Sequence, residues 1–386
     1  MTEIINENNN AMLNDNKAYP SLGLSKKFII AGGGTGGHIF PAIAIANAIK
    51  REMPQASFLF IGAKGKMEME KVPMAGFAIE GLDIAGFNRK NIFKNISLPF
   101  KLIKSFFQVR NIIKQFKPDA VIGVGGYSSF PVLRVAQSKG IKTFLHESNS
   151  FAGKSNILLG KNATKIFVAS KGMEQFFPAE KIFISGNPIR SSIINDNLSS
   201  ANASAFFGLQ DQLTTILVMG GSLGATSINE AILDSLDELE KNNLQLIWQT
   251  GKTNASKYLT AAANKKNIWV GAFIQEIEYG YAAADIIISR SGAMAVSEIC
   301  VIAKPTILVP YPYAAEDHQT ANALQLVNAE AAEMVVDHNA SIELVSKVIA
   351  LSKNESKQQL FKQNLSGLAV IDADRKIAKE IIKEIL

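Results

Sequence analysis

Two short segments have the residue types and spacing to hold a phosphate. One is Gly32-Gly33-Gly34-Thr35-Gly36-Gly37, with His38 directly after it; the other is Gly220-Gly221-Ser222-Leu223-Gly224-Ala225. Glycine lets the backbone take positive φ and lets a ligand come close. A helix following such a loop offers unpaired N–H groups at the positive end of its dipole. Gly32, Gly34 and Gly37 also satisfy the dinucleotide fingerprint, which further asks for an acidic residue near the end of the next strand. Here that strand ends Ile61-Gly62-Ala63-Lys64, without a carboxylate. The expectation is therefore phosphate or pyrophosphate, not nicotinamide. Loops that are glycine-rich only for tight strand–helix packing are the plain alternative, and two of them in one chain disfavour it.

A third signal is Ser289-Arg290-Ser291-Gly292-Ala293, where Arg290 and the N–H groups of a following helix suit a diphosphate. Glu298 lies two turns into that helix. A carboxylate there either accepts two ribose hydroxyls or is an ordinary solvated helix residue, and spacing leaves both open. His38 titrates near neutrality and suits a general base, or else is a packed residue at a helix start. The one D-x-D pair, Asp372-Ala373-Asp374, precedes the last helical segment, where aspartate is a common cap. No metal site is expected there, so charge building on a departing diphosphate falls to helix N-termini and arginine.

These loops need strands before them and helices after them. Strand patterns run Phe28–Ala31, Ser57–Ile61, Ala120–Val124, Lys142–Leu145 and Lys165–Val168, alternating with helical patterns. They resume at Thr215–Met219, Leu244–Trp248, Asn267–Val270, Asp285–Ile288 and Thr306–Val309. The fold class is α/β: two parallel sheets, each covered on both faces. Ligands in such sheets bind beyond the carboxyl ends of the strands. The expected organisation is an Asn-rich flexible tail over 1–25, one Rossmann-like domain over 26–186 and a linker over 187–212. A second Rossmann-like domain over 213–371 and a C-terminal helix over 372–386 complete it.

The 386 residues suit two domains at roughly 150 residues each. Hydrophobic residues make up 47% and charged residues 19%, enough apolar material for two cores. No apolar run reaches the ~18 residues of a spanning helix. No charged-then-apolar signal pattern opens the chain, so a cytoplasmic protein is expected. The single cysteine, Cys300, reads as a small core residue.

The net charge is +6 and the pI about 9.1. Arg89, Lys90, Lys94, Lys101, Lys104, Arg110, Lys114 and Lys117 follow one another with no acidic residue between them. From Pro99 the pattern is helical, with Leu102, Phe106, Val109, Ile113 and Phe116 in one stripe and Ile103 and Phe107 beside it. The stripe is expected to be core. The membrane contact is expected from the preceding loop and its neighbours, Ile92, Phe93, Lys94, Ile96, Leu98, Lys101 and Lys104, against an anionic surface. Nucleic acid is not expected, since no aromatic-basic module appears.

In order, the chain carries Gly33-Gly34-Thr35-Gly36-Gly37-His38, Gly125-Gly126-Tyr127, His146-Glu147-Ser148-Asn149, Gly186-Asn187-Pro188-Ile189-Arg190, Gly220-Gly221-Ser222 and Ser289-Arg290-Ser291-Gly292-Ala293 through Glu298. This set resembles the MurG family of undecaprenyl-diphospho-muramoylpentapeptide N-acetylglucosaminyltransferases, in glycosyltransferase family 28, from about Lys27 to the C-terminus. The resemblance implies a GT-B fold and UDP-N-acetylglucosamine as donor, bound mainly by the C-terminal domain. It implies lipid I, the undecaprenyl-diphospho-muramoylpentapeptide, as acceptor. It further implies inversion at the anomeric carbon and a peripheral place on the cytoplasmic face of the inner membrane in peptidoglycan synthesis, cell-wall biogenesis, cell shape and division; no cofactor is expected, the donor diphosphate being held without metal. By position it assigns donor binding to Thr35, Gly36, Gly37, Asn149, Arg190, Ser222, Ile274 and Gln319. It assigns the ribose to Glu298 and the diphosphate to the helix start Ala293, Met294 and Ala295; His38, beside the first loop, is the expected base. Gly33, Gly34, Gly221, Arg290, Ser291 and Gly292 complete the phosphate loops. The chain departs from the family in its N-terminal tail and in Glu316-Asp317-His318-Gln319-Thr320, where many members have two consecutive glutamines. Competing readings are another lipid glycosyltransferase of this fold, such as a diacylglycerol sugar transferase, a non-catalytic nucleotide-sugar-binding protein and a nicotinamide oxidoreductase.

Overall fold

The computed structural model describes residues 25–86, 98–194, 198–221 and 223–386. The tail over 1–24, the loop residues Ile92, Phe93, Lys94 and Ile96, and Ser222 lie outside the described residues.

Seven strands form the first sheet: Lys27–Ala31 (β1), Ser57–Ala63 (β2), Ala78–Leu82 (β3), Ala120–Gly123 (β4), Lys142–Glu147 (β5), Lys165–Val168 (β6) and Ile182–Ile184 (β7). Helices Gly36–Glu52 (α1), Glu68–Met74 (α2), Leu98–Phe116 (α3), Ser129–Ser138 (α4) and Lys154–Gly160 (α5) alternate with them. All strand pairs are parallel, in the order β3-β2-β1-β4-β5-β6-β7. The second sheet takes Thr214–Met219 (β8), Leu244–Gln249 (β9), Ile268–Gly271 (β10), Ile286–Ser289 (β11), Thr306–Leu308 (β12) and Glu333–Met334 (β13). Its order is β10-β9-β8-β11-β12-β13, again parallel. Its helices are Ser200–Phe206 (α6), Thr226–Asp234 (α7), Leu236–Lys241 (α8), Ala255–Ala262 (α9), Ile277–Ala283 (α10), Ala293–Ile302 (α11), His318–Asn328 (α12), Ala340–Ser352 (α13) and Glu355–Leu368 (α14).

Each sheet is buried on both faces, which is why its central strands are unbroken apolar runs. Ile29, Val121 and Leu145 pack on one side of the first sheet and Phe28, Ile30 and Ile122 on the other. The second sheet divides in the same way, with Ile216 and Val218 on one face and Leu217 and Met219 on the other. In both sheets the order reverses between the first strand of the domain and the fourth, β1/β4 and β8/β11. Loops leaving these strands diverge and open a crevice at their carboxyl ends.

Two segments differ from the sequence reading. Much of the stretch taken as linker is second-domain structure: Ala203, Phe207 and Leu209 are buried against Leu217, Ile247 and Tyr281. The last helix, Ala373–Ile385 (α15), returns to the first domain, where Ile377, Ala378 and Ile381 join the cluster of Phe28 and Ile45. The chain thus crosses between the domains twice, near 186–190 and near 369–372.

The α3 stripe is only partly core. Val109, Ile112 and Ile113 are buried and Leu102, Phe106 and Phe116 half-buried. A second stripe, Phe100, Ile103 and Phe107, stands out in solvent at 75%, 56% and 62% exposure. Two apolar stripes exceed what one helix buries against one sheet, and the outer one is left uncovered. Lys101 and Lys104 beside it pair with Asp83, whose carboxyl they hold below its usual range. No described helix is long and apolar enough to cross a membrane.

Candidate active site

The β1 loop and the β4 loop meet at the first crevice. A β-carbon built on Gly126 would stand 2.5 Å from the Gly33 carbonyl oxygen, and one on Gly125 would stand 2.8 Å from the His38 ring. Side chains at either position would push the loops apart. Thr35 is the N-cap residue of α1, and Gly36, Gly37 and His38 form its first turn. The Gly33 carbonyl accepts a hydrogen bond from His38 Nδ1 at 3.1 Å, and Thr35 Oγ1 lies 3.3 Å from the same nitrogen. His38 is half-buried, and loss of hydration holds its pKa below the ordinary value of 6.5. The Gly33 carbonyl and the carboxylates of Glu147 and Glu68 act against that shift; His318, at the start of α12, acts with it.

In the second domain, α11 opens with Gly292 as an extended N-cap and no side-chain capping bond. Its first-turn N–H groups, those of Ala293, Met294 and Ala295, have no helical carbonyl to bond and make a donor fork. That fork faces α1: a β-carbon built on Gly37 would lie 4.0 Å from Met294 Cγ. The starts of α1 and α11 therefore approach each other across the interdomain cleft, and His318 brings the start of α12 beside them.

Glu298 lies one turn further along α11 and is 5% exposed, so it is not a solvated helix carboxylate. It accepts from Arg190 Nε (3.1 Å) and Nη2 (2.9 and 3.1 Å), and from the Tyr281 hydroxyl (2.8 Å). Burial and this carboxylate push the Tyr281 hydroxyl well above its usual pKa. Arg190 belongs to the first crossing between domains, and its guanidinium stacks over Phe40 of α1, 4.8 Å from the ring centroid.

Asn149 is at the cleft, its amide and side chain both donating to Glu147 Oε1. Gln319 is at the start of α12; its Oε1 accepts from the Tyr311 amide and its carbonyl from Ser291 Oγ. Ile274 is buried, with its amide donating to Gln249 Oε1 at 3.0 Å. Gly221 has positive φ and open space on its α-carbon. Arg290 has a task unlike the phosphate clamp expected of it. Its guanidinium donates to the Val309 and Pro310 carbonyls, to Asp337 and to Ser227 Oγ. It organises the ends of β11 and β12 from within the domain, because four acceptors surround it there.

Three site groups have no role in the sequence reading, although Glu147 stands in one of its motifs. Glu147 is buried and accepts from the Asn149 amide and side chain, the Gly153 amide and Asn156 Nδ2, which folds the loop after β5. Asn322 ties the domains together, its Oδ1 accepting from Ser150 and its Nδ2 donating to the Ser291 carbonyl. Glu68, at the start of α2, supplies a carboxylate to the glycine loop after all, five residues beyond the end of β2. The pair in Asp372-Ala373-Asp374 is used in ion pairs, Asp372 with Lys376 and Asp374 with Arg51. Cys300 is buried, and burial pushes its thiol up to about 12, as befits a core residue.

Comparison with known proteins bears on this cleft. The glycosyltransferase family 28 N-terminal domain matches residues 28–168 and the family 28 C-terminal domain residues 215–383. A Phocaeicola vulgatus protein is 48% identical over 360 residues, covering 92% of this chain and 96% of that one. A Flavobacterium psychrophilum protein is 46% identical over 357 residues, covering 92% and 97%. Both are described as UDP-N-acetylglucosamine–N-acetylmuramyl-(pentapeptide) pyrophosphoryl-undecaprenol N-acetylglucosamine transferases. The crystal structure of Acinetobacter baumannii MurG superposes with a TM-score of 0.72 at 28% identity, covering 93% of this chain and 99% of the other. A UDP-GlcNAc 2-epimerase from Neisseria meningitidis shares the fold alone, at 13% identity and a TM-score of 0.65.

Proposed function

The chain belongs to glycosyltransferase family 28 and is an N-acetylglucosaminyltransferase, and we propose how its cleft carries out the transfer. The reaction moves N-acetylglucosamine from UDP-N-acetylglucosamine to lipid I and gives lipid II, a step of peptidoglycan synthesis. The observation that carries the mechanism is the approach of the α1 start, bearing His38, to the N–H fork of α11.

The acceptor hydroxyl attacks the anomeric carbon from the face opposite UDP, so its configuration inverts. His38 takes the hydroxyl proton as the new C–O bond forms and the bond to UDP breaks. Negative charge grows on the departing diphosphate, and the first-turn N–H groups of α11 point where it grows. Glu298 receives the ribose hydroxyls, Asn149 and Gln319 the sugar. The remaining N–H groups at the α1 start, those of Thr35, Gly36 and Gly37, face the acceptor's own diphosphate. The donor diphosphate is stabilised by protein dipoles in this reading, without a metal ion. Transfer of labelled sugar to a lipid-diphosphate muramoylpentapeptide analogue should therefore proceed at the same rate with excess chelator. A rate abolished by chelator and restored by Mg²⁺ would overturn the metal-free step and leave the transfer intact.

The exposed stripe Phe100, Ile103 and Phe107 with Arg110 and Lys114 on the same helix suits a bilayer carrying anionic headgroups, where the lipid acceptor resides. Each cation near such a surface adds ~1 kcal/mol, and the three apolar groups add more on entering the interface. Replacing all three with serine should weaken sedimentation with anionic vesicles about 10²-fold. Turnover of a short-chain soluble acceptor should stay unchanged. Equal vesicle binding by the variant would remove α3 as the docking element.

A further inference from the structure

Glu68 is the most deeply buried carboxylate near the cleft, at 1% exposure, and the transfer mechanism above does not use it. It opens α2 and sits beneath the glycine loop. Its Oε2 accepts from the Gly34 amide and its Oε1 from the Ala63 amide, each at 3.0 Å. No ion pair to it is formed among the described residues. A buried carboxylate without a cation is costly, and the backbone N–H bonds are what hold it.

The carboxylate crowds two glycines, Gly33, which also has positive φ, and Gly62. A β-carbon on Gly33 would stand 2.2 Å from Glu68 Oε1, and one on Gly62 would stand 2.4 Å from Glu68 Cγ. Gly62 has no positive φ to require glycine, so the space Glu68 occupies is its reason. From the carboxylate a path runs to the reacting group. Glu68 holds the Gly34 amide, and across that same peptide bond the Gly33 carbonyl accepts from His38 Nδ1. A carbonyl can only accept, so the Nδ1 proton is fixed and Nε2 keeps the lone pair.

We propose that Glu68 is a positioning residue for the transfer, its buried carboxylate setting the Gly33–Gly34 peptide that orients His38 and selects its Nδ1–H tautomer. The proposal rests on His38 as the base. It also means that the Gly34 amide is taken from below and is not a phosphate donor. The titratable groups facing His38 are Glu68 from α2, Glu147 and His146 from the end of β5, and His318 from α12. Both carboxylates raise the His38 pKa, so loss of one lowers it.

The test is Glu68→Gln in the full chain. An amide has one acceptor oxygen for two N–H donors, so the Gly33–Gly34 peptide should turn. Turnover of lipid-linked acceptor should fall about 10²-fold, as for a group displaced by about 1 Å, while KM for UDP-N-acetylglucosamine stays near wild type. The acid limb of kcat/KM should move to lower pH. Nitrogen NMR should show His38 as the Nδ1–H tautomer in the wild type and as a mixture in the variant. Altered tautomer and titration with unchanged turnover would uphold the positioning and overturn His38 as base. Unchanged tautomer and titration in a folded variant, whatever its turnover, would overturn the positioning. If the variant does not fold, the wild type decides. Its Gly34 and Ala63 amides should be protected from hydrogen exchange, and a Gly34 amide exchanging like an open loop would overturn the proposal.

Discussion

His38→Ala should lower kcat by about 10² to 10⁴-fold, the usual contribution of a positioned base, and leave UDP-N-acetylglucosamine affinity unchanged. The asymmetry follows from where the residue sits. His38 is in the first turn of α1, in the N-terminal half, whereas Glu298 and the α11 fork are in the other domain. Burial holds His38 below the ordinary histidine pKa, so it is neutral at pH 7 and ready to accept a proton. The acid limb of the wild-type kcat/KM profile should accordingly lie below pH 6.5, and activity should fall as pH drops through it. The carboxylate with the best claim to replace it is Glu147, but four N–H donors already occupy its oxygens. A proton there would break that loop's bonding. Single-turnover transfer and equilibrium donor binding, measured on the same preparation, check the split. Near-normal turnover in His38→Ala would remove His38 from the chemistry.

The parts of the fold legible in the sequence are those where burial acts on both faces. Strands β1, β4, β8 and β11 sit centrally, and their apolar runs mark them to within about two residues. The edge strands β3, β7 and β13 are not legible in the same way: Glu80 and Gly81 interrupt β3, β7 is apolar but only three residues long, and β13 is two residues long. At the site, composition located both glycine loops but could not assign each glycine a cause. Gly62 is glycine because of Glu68, Gly33 because of its positive φ as well as Glu68, and only the fold brings those three residues together. Arg290 beside a helix start looks like an anion clamp in one dimension; in three, Asp337 and Ser227 arrive from other elements and engage it. The α3 periodicity shows which stripe meets the sheet, that of Val109 and Ile113, but not that a second one, Phe100, Ile103 and Phe107, is left in solvent.

Glu298→Gln should weaken UDP binding about 10²-fold and, separately, lower the stability of the fold. A ribose held by two hydrogen bonds to a carboxylate gains roughly 1.5–3 kcal/mol from each, and tenfold in affinity is 1.4 kcal/mol. In the ligand-free protein those oxygens are not idle, since Arg190 and Tyr281 already donate to them. Ribose must therefore share or displace Arg190, which offsets part of the gross gain and keeps the expectation near 10² rather than higher. The same substitution leaves Arg190 without its partner. Breaking a buried pair costs about 3–5 kcal/mol. Arg190 is 25% exposed and can recover some hydration, so the loss of folding stability should be about 2 kcal/mol. A structural and a ligand-binding role are separated by the nucleotide used. With 2′,3′-dideoxyuridine diphosphate no hydroxyls remain for the carboxylate, so wild type and Glu298→Gln should bind it equally. If the variant loses the same factor for UDP and for the dideoxy analogue, Glu298 acts only by holding Arg190. If it binds both as tightly as wild type, the ribose site lies elsewhere and the Arg190–Glu298–Tyr281 cluster is scaffold.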